Sequence, residues 1–85
     1  MYEVVYNKQT DRTLRRMPRN QAQIIRTKIE EIAQDPYAQH NNLTKLVGRS
    51  GYRLRVGDWR VLYELLDQQL ILLVVKIASR GDVYR

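Results

Sequence analysis

The chain has 85 residues, of which 15 are Lys or Arg and 9 are Asp or Glu, so its formal charge is +6. It contains one histidine, His40, and no cysteine. This composition excludes a disulfide framework, a cysteine nucleophile, a Cys-ligated zinc site and a pair of catalytic histidines. The basic excess favours a polyanionic partner, most commonly nucleic acid, although it also suits a surface that is merely solubilising.

No segment is typical of a membrane span or a targeting signal. The longest apolar run, Leu70–Val75, is far shorter than the roughly 20 residues that cross a bilayer. The first residues, MYEVVYNKQTDR, lack the basic-then-apolar order of a signal peptide. We therefore expect a cytoplasmic protein, and the length predicts one domain covering residues 1–85.

The first half of the chain predicts one strand and two helices. Residues 2–6 alternate in polarity, as a short strand does. Residues 8–17 form a short helix with a thin apolar seam, which ends at Pro18. The clearest helix is residues 19–34, because five apolar residues recur there at three-to-four spacing. They are Ala22, Ile25, Ile29, Ile32 and Ala33.

Residues 37–51 are predicted to be a polar connection between the second helix and the strands that follow it. Its apolar residues are expected to anchor it to the protein: Leu43, Leu46 and Val47.

Three strands are predicted in the second half. They cover residues 52–56, 59–66 and 70–77, and Gly57-Asp58 is typical of a two-residue type II′ turn between the first two. The last strand is apolar on both faces, which predicts a central strand covered on both sides. The expected fold is α+β, with an N-terminal strand, a helical hairpin and a three-stranded antiparallel meander forming one mainly antiparallel sheet.

The hairpin turn fixes a register that places arginines together. With Gly57 and Asp58 as the turn residues, Arg55 pairs with Arg60, and Arg53 lies on the same face as Arg55. Like charges directly opposite each other destabilise a sheet unless something compensates for them. A solvated sheet face is the plain interpretation, and a phosphate site is the alternative that this opposition favours, since guanidinium groups match phosphate oxygens two at a time.

The tail is expected to approach the same arginines. The last strand runs antiparallel to its neighbour, so its C-terminal end lies beside Arg60. The three residues from Ile77 to Arg80 span at most about 10 Å, which brings Arg80 and Tyr84 within reach of the arginine pair. Trp59 and Tyr63 alternate onto the opposite face, where they are expected to pack in the core.

The segment LVGRSGYRLRVGDWRVLYELLDQQLILLVVKIASRGDVYR (residues 46–85) resembles the C-terminal half of RelE-type bacterial toxins of the RelE/ParE superfamily. The order of strand, two helices and three strands also matches that family. The resemblance implies a toxin of a type II toxin–antitoxin pair that cuts mRNA in the ribosomal A site, without a metal ion or another cofactor. In such a reaction the 2′-hydroxyl attacks its own 3′-phosphate, leaving a 2′,3′-cyclic phosphate and a 5′-hydroxyl.

Five residues take the catalytic positions that the resemblance implies. Arg53 and Arg55 fall on the two basic strand positions, Arg60 follows the turn aromatic, and Arg80 and Tyr84 fall on the C-terminal arginine and tyrosine. A further set of basic residues is expected to bind mRNA or ribosomal RNA. The alternative interpretation is that these residues only form a solvated surface. That set is Arg12, Arg15, Arg16, Arg19, Lys45 and Arg49.

The chain departs from the family where it matters for proton transfer. RelE has lysines at the positions of Arg53 and Arg55, and many relatives have Gly-His in place of Ala78-Ser79. Arginine stabilises a phosphorane well but donates protons poorly. Tyr84 is therefore the predicted general base, with base stacking as its alternative role.

The resemblance also implies a RelB-like acidic antitoxin as the partner. Three other interpretations stay open: a ParE-like inhibitor of DNA gyrase that acts by protein contact, a nucleic-acid-binding module without chemistry, and a toxin whose catalysis is weak. The clustered basic residues and the tail tyrosine favour the nuclease over the gyrase inhibitor.

Overall fold

A computed structural model describes residues 1–82 of the chain, and it has the predicted α+β architecture. Strand β1 is followed by two helices and then by four strands. The elements are β1 Glu3–Tyr6, α1 Lys8–Arg16, α2 Arg19–Gln34, β2 Leu43–Lys45, β3 Tyr52–Val56, β4 Trp59–Leu66 and β5 Ile71–Ser79.

The helices begin and end where local chemistry directs. Asn7 caps α1, because its side-chain oxygen accepts a hydrogen bond from the Thr10 amide at 2.9 Å. Pro18 separates the helices, since proline fits the beginning of a helix but not its interior. The predicted bounds of α2 are confirmed, and neither helix is long and apolar enough to cross a membrane.

All five strands belong to one sheet, in the order β1-β5-β4-β3-β2. Strand β1 runs parallel to β5, and every other neighbouring pair is antiparallel. The predicted polar connection over residues 37–51 is wrong in part, because it contains β2. This strand has only three residues, two of them polar, so it shows too little alternation to be recognised.

Both helices pack on one face of the sheet, which we call the helix-side face. The core lies there, between a buried stripe on the helices and buried residues from β3, β4 and β5. The prediction that β5 is a central strand is confirmed, since it lies between β1 and β4. The prediction that β5 is covered on both faces is wrong, because both helices pack on the same face of the sheet. We call the other side of the sheet the open face.

The β2–β3 loop and the β4–β5 turn lie at the ends of the strands. Val47, a predicted anchor, is 96% exposed, so that prediction is wrong; Leu43 packs against the core and Leu46 is half-buried. In the β4–β5 turn, Asp67 accepts hydrogen bonds from the hydroxyls of Tyr2 at 2.7 Å and Tyr37 at 2.6 Å. This cluster ties the start of the chain and the α2–β2 loop to the end of the sheet.

Candidate active site

The β3–β4 turn has the predicted geometry. Gly57 has φ 57°, in the left-handed region, whereas Asp58 has no positive φ, which fits a type II′ turn with glycine first. Arg55 pairs with Arg60 and Val56 pairs with Trp59. The predicted register is therefore confirmed, and the two arginines lie directly opposite each other on the open face.

Arg55 is held by Asn42, the residue directly before β2. Its guanidinium Nη2 donates to Oδ1 of Asn42 at 2.6 Å, and its backbone amide donates to the Asn42 carbonyl at 3.0 Å. Asn42 has φ 63°, a left-handed conformation that asparagine tolerates better than most residues. Asn42 was not predicted from the sequence, where it is one of two consecutive asparagines in a polar segment.

Arg60 is held by the turn itself. Its Nη1 donates to the carbonyls of Gly57 and Trp59, each at 3.0 Å. Neutral oxygens thus orient both opposed guanidinium groups without cancelling their charge. The positive charge remains at the surface, where it suits an anion.

Arg53 lies one step further along β3, opposite Leu62. Arg60 is two residues before Leu62 on β4, so Arg53 and Arg60 are diagonal neighbours at about 7–8 Å between backbones. Leu62 is only 2% exposed although it belongs to the open face and lies outside the helix-side core. Its flanking residues are Arg53 on β3 and Lys76 on β5, so long basic side chains border an apolar floor.

Arg80 comes to the same end of the sheet. Its amide donates to the Asp58 carbonyl at 2.8 Å, and Ser79 and Ala78 pair with Trp59 and Arg60. This fits the predicted approach of the tail to the arginine pair. Tyr84, the predicted base, lies outside the described residues.

Two more predicted RNA-binding residues share a surface with Arg53. Lys45 and Arg49 line a shallow cleft of about 410 Å³ together with Arg53, Thr44, Leu46 and Val47. No carboxylate lines this cleft. It extends the positive surface from the open face across the β2 edge of the sheet.

The other predicted RNA-binding residues belong to the helix layer. Arg12, Arg15 and Arg16 are exposed on α1, and Arg19 is exposed at the start of α2. Arg15 is 3.1 Å from Asp11 in an exposed ion pair of the kind that contributes little stability. Because the sheet separates these residues from the open face, they form a second basic surface rather than part of the first.

The aromatic residues of β4 face the helices, as predicted. The Trp59 indole donates to the Gln21 side chain at 2.8 Å. Tyr63 is fully buried and stacks on Tyr52, with ring centroids 5.3 Å apart, and its burial raises the pKa of its hydroxyl. Neither ring of β4 is placed to stack on a nucleobase at the open face.

The open face is suited to holding a phosphate by charge. Arg53, Arg55 and Arg60 come together there, and Arg80 joins them at the hairpin turn. Glu64 also lies on this face, at its other end, where it accepts a hydrogen bond from Ser50 at 3.4 Å. Within residues 1–82, no group of three or more His, Cys, Asp or Glu side chains converges on a point that would hold a metal ion.

Comparison with protein families identifies the class of this chain. Residues 4–84 match the family described as ParE toxin of type II toxin-antitoxin systems, parDE. The match spans nearly the whole sequence, and the chain belongs to this family of the RelE/ParE superfamily. Comparison of the sequence with curated proteins found no match.

Solved structures of RelE toxins share the fold. The RelE-RelB complex from Pyrococcus horikoshii OT3 matches with a TM-score of 0.82 and 24% identity, over 96% of this chain and 98% of that one. The intact RelBE complex of E. coli matches with a TM-score of 0.79 and 17% identity, over 93% and 96% of the two chains. The RelBE2 complex from Mycobacterium tuberculosis matches with a TM-score of 0.73 and 18% identity, over 93% of this chain and 98% of that one. The family carries the ParE name and these structures the RelE name, and at such identities the likeness establishes the fold alone.

Proposed function

We propose that the chain is a ribosome-dependent mRNA endoribonuclease, the toxin of a type II pair acting in the cytoplasm. The observation that carries the proposal is the opposed Arg55–Arg60 pair on a sheet face that neither α1 nor α2 covers, with Arg53 diagonal to it and Arg80 at the turn. A cluster of guanidinium groups matches the charge and geometry of a phosphodiester. It has no evident use in contacting a protein through an apolar surface.

The proposed chemistry is metal-independent cleavage by the message itself. The 2′-oxygen attacks the adjacent phosphorus, the bond to the 5′-oxygen breaks, and the products are a 2′,3′-cyclic phosphate and a 5′-hydroxyl. Arg60 and Arg80 clamp the scissile phosphate, while Arg53 and Arg55 neutralise the charge that develops on it. Tyr84 takes the proton from the 2′-hydroxyl.

Positioning is assigned to the ribosome. In-line attack needs the 2′-oxygen, the phosphorus and the 5′-oxygen to be aligned, and holding reactants in such an arrangement lowers a barrier substantially. An open sheet face without walls does not provide that alignment by itself. Free RNA is therefore expected to be cut far more slowly than a message in the ribosomal A site.

Two basic surfaces fit this division of labour. Lys45 and Arg49 continue the open face and are assigned to the message, because they share a cleft with Arg53. The helix-layer arginines lie on the other side of the sheet and are assigned to ribosomal RNA; they are Arg12, Arg15, Arg16 and Arg19. A cognate antitoxin of acidic, RelB-like character is the proposed inhibitor, since several similar toxins were crystallised with RelB.

The second candidate is a gyrase inhibitor, which the ParE name of the matched family favours. Such a toxin acts by contact with a protein, so it needs no clustered phosphate-binding groups on an open face. The arginine cluster is thus the feature that separates the two candidates.

The test is to induce the chain alone in growing cells and to map the ends of mRNA. Cuts at codon-periodic positions within translated messages, with 5′-hydroxyl ends downstream, support the nuclease. Intact messages accompanied by a DNA-damage response support the gyrase inhibitor. Growth that continues with intact messages and no DNA damage contradicts both.

A further inference from the structure

Strand β5 carries a β-bulge halfway along its pairing with β4. Residues 71–74 pair with residues 66–63 in one register, and residues 76–79 pair with residues 62–59 in a register shifted by one residue. Val75 is the extra residue between the two registers. Because successive side chains of a strand point to opposite faces, this shift exchanges the faces of everything beyond it.

The bulge places a lysine on the open face. Lys76 lies opposite Leu62, and Ile77 lies opposite the fully buried Val61 in the helix-side core. Had the first register continued, Lys76 would face Val61 among the helices and Ile77 would face Arg60 at the surface. Burying an unpaired ammonium is far more costly than a bulge, so the side chains beyond Val75 require the shift.

The start of α1 holds the bulge in place. Strand β1 pairs with β5 only as far as Val74, and beyond that point α1 takes its place. The Asn7 side chain donates to the Val75 carbonyl at 2.9 Å while its oxygen caps α1, and Gln9 donates to the Ile77 carbonyl at 3.3 Å. One asparagine thus couples the first turn of a helix to the register of the site strand.

By this arrangement Lys76 becomes the third cation around Arg60, after Arg55 and Arg53. Arg55 lies directly opposite Arg60, and Arg53 and Lys76 lie diagonally on its two sides, each about 7–8 Å away between backbones. Within the described residues, the other lysines lie on α1, α2 and β2. Lys45 of β2 lies at the edge of the sheet, and β3 separates it from Arg60 on β4.

The proposed cleavage needs a proton for the departing 5′-oxygen. The arginines of the site suit charge stabilisation but hold their protons too tightly to donate them, whereas an ammonium group releases a proton more readily than a guanidinium group. No histidine stands at the open face, since His40 lies in the α2–β2 loop and contacts the Asp35 carbonyl. Among the described basic residues of this face, Lys76 is the one with suitable proton chemistry.

We propose that Lys76 is a catalytic residue that protonates the 5′-oxygen as the bond between phosphorus and that oxygen breaks. This inference rests on the proposed function. The 2′-oxygen forms the new bond to phosphorus and gives its proton to the base, and Lys76 gives a proton to the leaving oxygen and recovers one from water. Asn7 is a positioning residue that sets the register on which Lys76 depends.

The test uses a leaving group that needs no proton. Ribosomes are programmed with a short message that carries at the cleaved position either an ordinary phosphodiester or a linkage whose bridging 5′-oxygen is replaced by sulfur. A thiolate departs without protonation, because a thiol is far more acidic than an alcohol. Single-turnover rates are measured for wild type, Lys76→Met, Lys76→Arg and, as a matched control on α2, Lys28→Ala.

With the ordinary message, Lys76→Met and Lys76→Arg are expected to cut at least about 100-fold more slowly than wild type. With the sulfur linkage, both are expected to return to within a few-fold of wild type, and Lys28→Ala is expected to match wild type on both. Methionine keeps the unbranched stem beside Leu62, so the fold is retained, and a thermal unfolding curve checks this.

Three outcomes overturn the inference. A Lys76→Met protein that is equally slow on both linkages has lost charge or shape rather than a proton donor. A Lys76→Met protein with the wild-type rate shows that Lys76 is not needed. If wild type itself cuts neither linkage on the ribosome, the proposed function fails, and the role of Lys76 fails with it.

Discussion

Different interactions dominate the two faces of the sheet: apolar burial on the helix-side face and hydrogen bonds to charged groups on the open face. On the helix-side face, apolar side chains from α2, β3, β4 and β5 exclude water, and Ile25, Ile29 and Tyr63 are completely buried. On the open face, charged groups are oriented by neutral oxygens, as Arg55 is by Asn42 and Arg60 by the turn carbonyls. The first face makes the fold stable, whereas the second holds the Arg55 and Arg60 guanidinium groups in a fixed arrangement.

This difference between the two faces means that the residues that stabilise the fold and the residues that form the candidate active site are nearly separate sets. Arg53, Arg55 and Lys76 bring three like charges close to Arg60, and the protein tolerates them because the opposite face provides the apolar burial. Changes on the two faces should therefore separate into losses of stability and losses of activity.

The largest effect on stability is expected from the helix-side face. Ile29→Ala removes a side chain that is 0% exposed, and such truncations cost about 2–5 kcal/mol of unfolding free energy. Urea unfolding of the purified chain measures this loss. An exposed isoleucine of the same helix, Ile24, is the matched control, and Ile24→Ala is expected to change stability by less than about 1 kcal/mol. Equal losses at the two positions would contradict the placement of the core.

Arg60→Ala should show the reverse behaviour. Removing the central cation is expected to slow cleavage on the ribosome by about 100-fold or more, while the unfolding free energy stays within about 1 kcal/mol of wild type. Cleavage is measured on programmed ribosomes under single-turnover conditions. Wild-type activity in Arg60→Ala would remove the open face as the site, and a matching loss of stability would show that the two faces are not independent.

Asn7 is expected to link the two faces. Asn7→Ala loses both the cap of α1 and the bond to the Val75 carbonyl, whereas Asn7→Asp keeps a good cap and loses only that bond. Asn7→Ala should cost about 1–2 kcal/mol, and Asn7→Asp should cost less in stability yet still slow cleavage. Urea unfolding and ribosomal cleavage, measured on the same samples, test this. If the Asn7→Asp protein cleaved at the wild-type rate, the hydrogen bond from Asn7 to the Val75 carbonyl would not be needed for cleavage.

The smallest effect is expected at the tyrosine cluster, which lies on neither face. The hydrogen bond to Asp67, more than burial, raises the pKa of Tyr37 to about 12, so the folded state favours the protonated phenol. This stabilisation is complete below the ordinary tyrosine pKa of about 10 and is lost as the pH rises toward 12. The bonds from Tyr37 and Tyr2 lower the pKa of Asp67, so a second loss begins in acid, as the pH falls through the ordinary range of an aspartate.

Tyr37→Phe tests this cluster. The variant should be slightly less stable than wild type at pH 8, and the difference should shrink between pH 10 and pH 12, as followed by urea unfolding at each pH. Tyr2→Phe should behave in the same direction, since the Asp67 bond also raises the pKa of Tyr2. A difference that is constant across this range would show that the hydroxyl of Tyr37 does not stabilise the fold through its proton.

The sequence predicted features whose signal is local. Gly57-Asp58 specifies a turn, and that turn fixes the pairing of Arg55 with Arg60. The spacing of apolar residues gave α2 its bounds, and Pro18 separated the two helices.

Structural features that depend on residues far apart in the sequence were not predicted. The bulge at Val75 was hidden because residues 71–75 are apolar at every position, so alternation gives no register there. Asn7 bonds to Val75 and Asn42 bonds to Arg55, which are far away in the sequence. Nothing in the sequence near either asparagine indicates these partners. The sequence therefore predicted where the arginines lie but not that Lys76 joins them.

The parallel pairing of β1 with β5 has a consequence for the order of folding. Residues 3–6 pair with residues 71–74, and the first residues of α1 and its cap bond to the carbonyls of Val74, Val75 and Ile77. The N-terminal segment thus finds its partner only after residues 71–77 have been synthesised, and closing such a long loop is slow compared with forming a hairpin. During translation β1 therefore stays unpaired until β5 has been made, so the β1–β5 edge of the sheet forms after the β3–β4 hairpin can form.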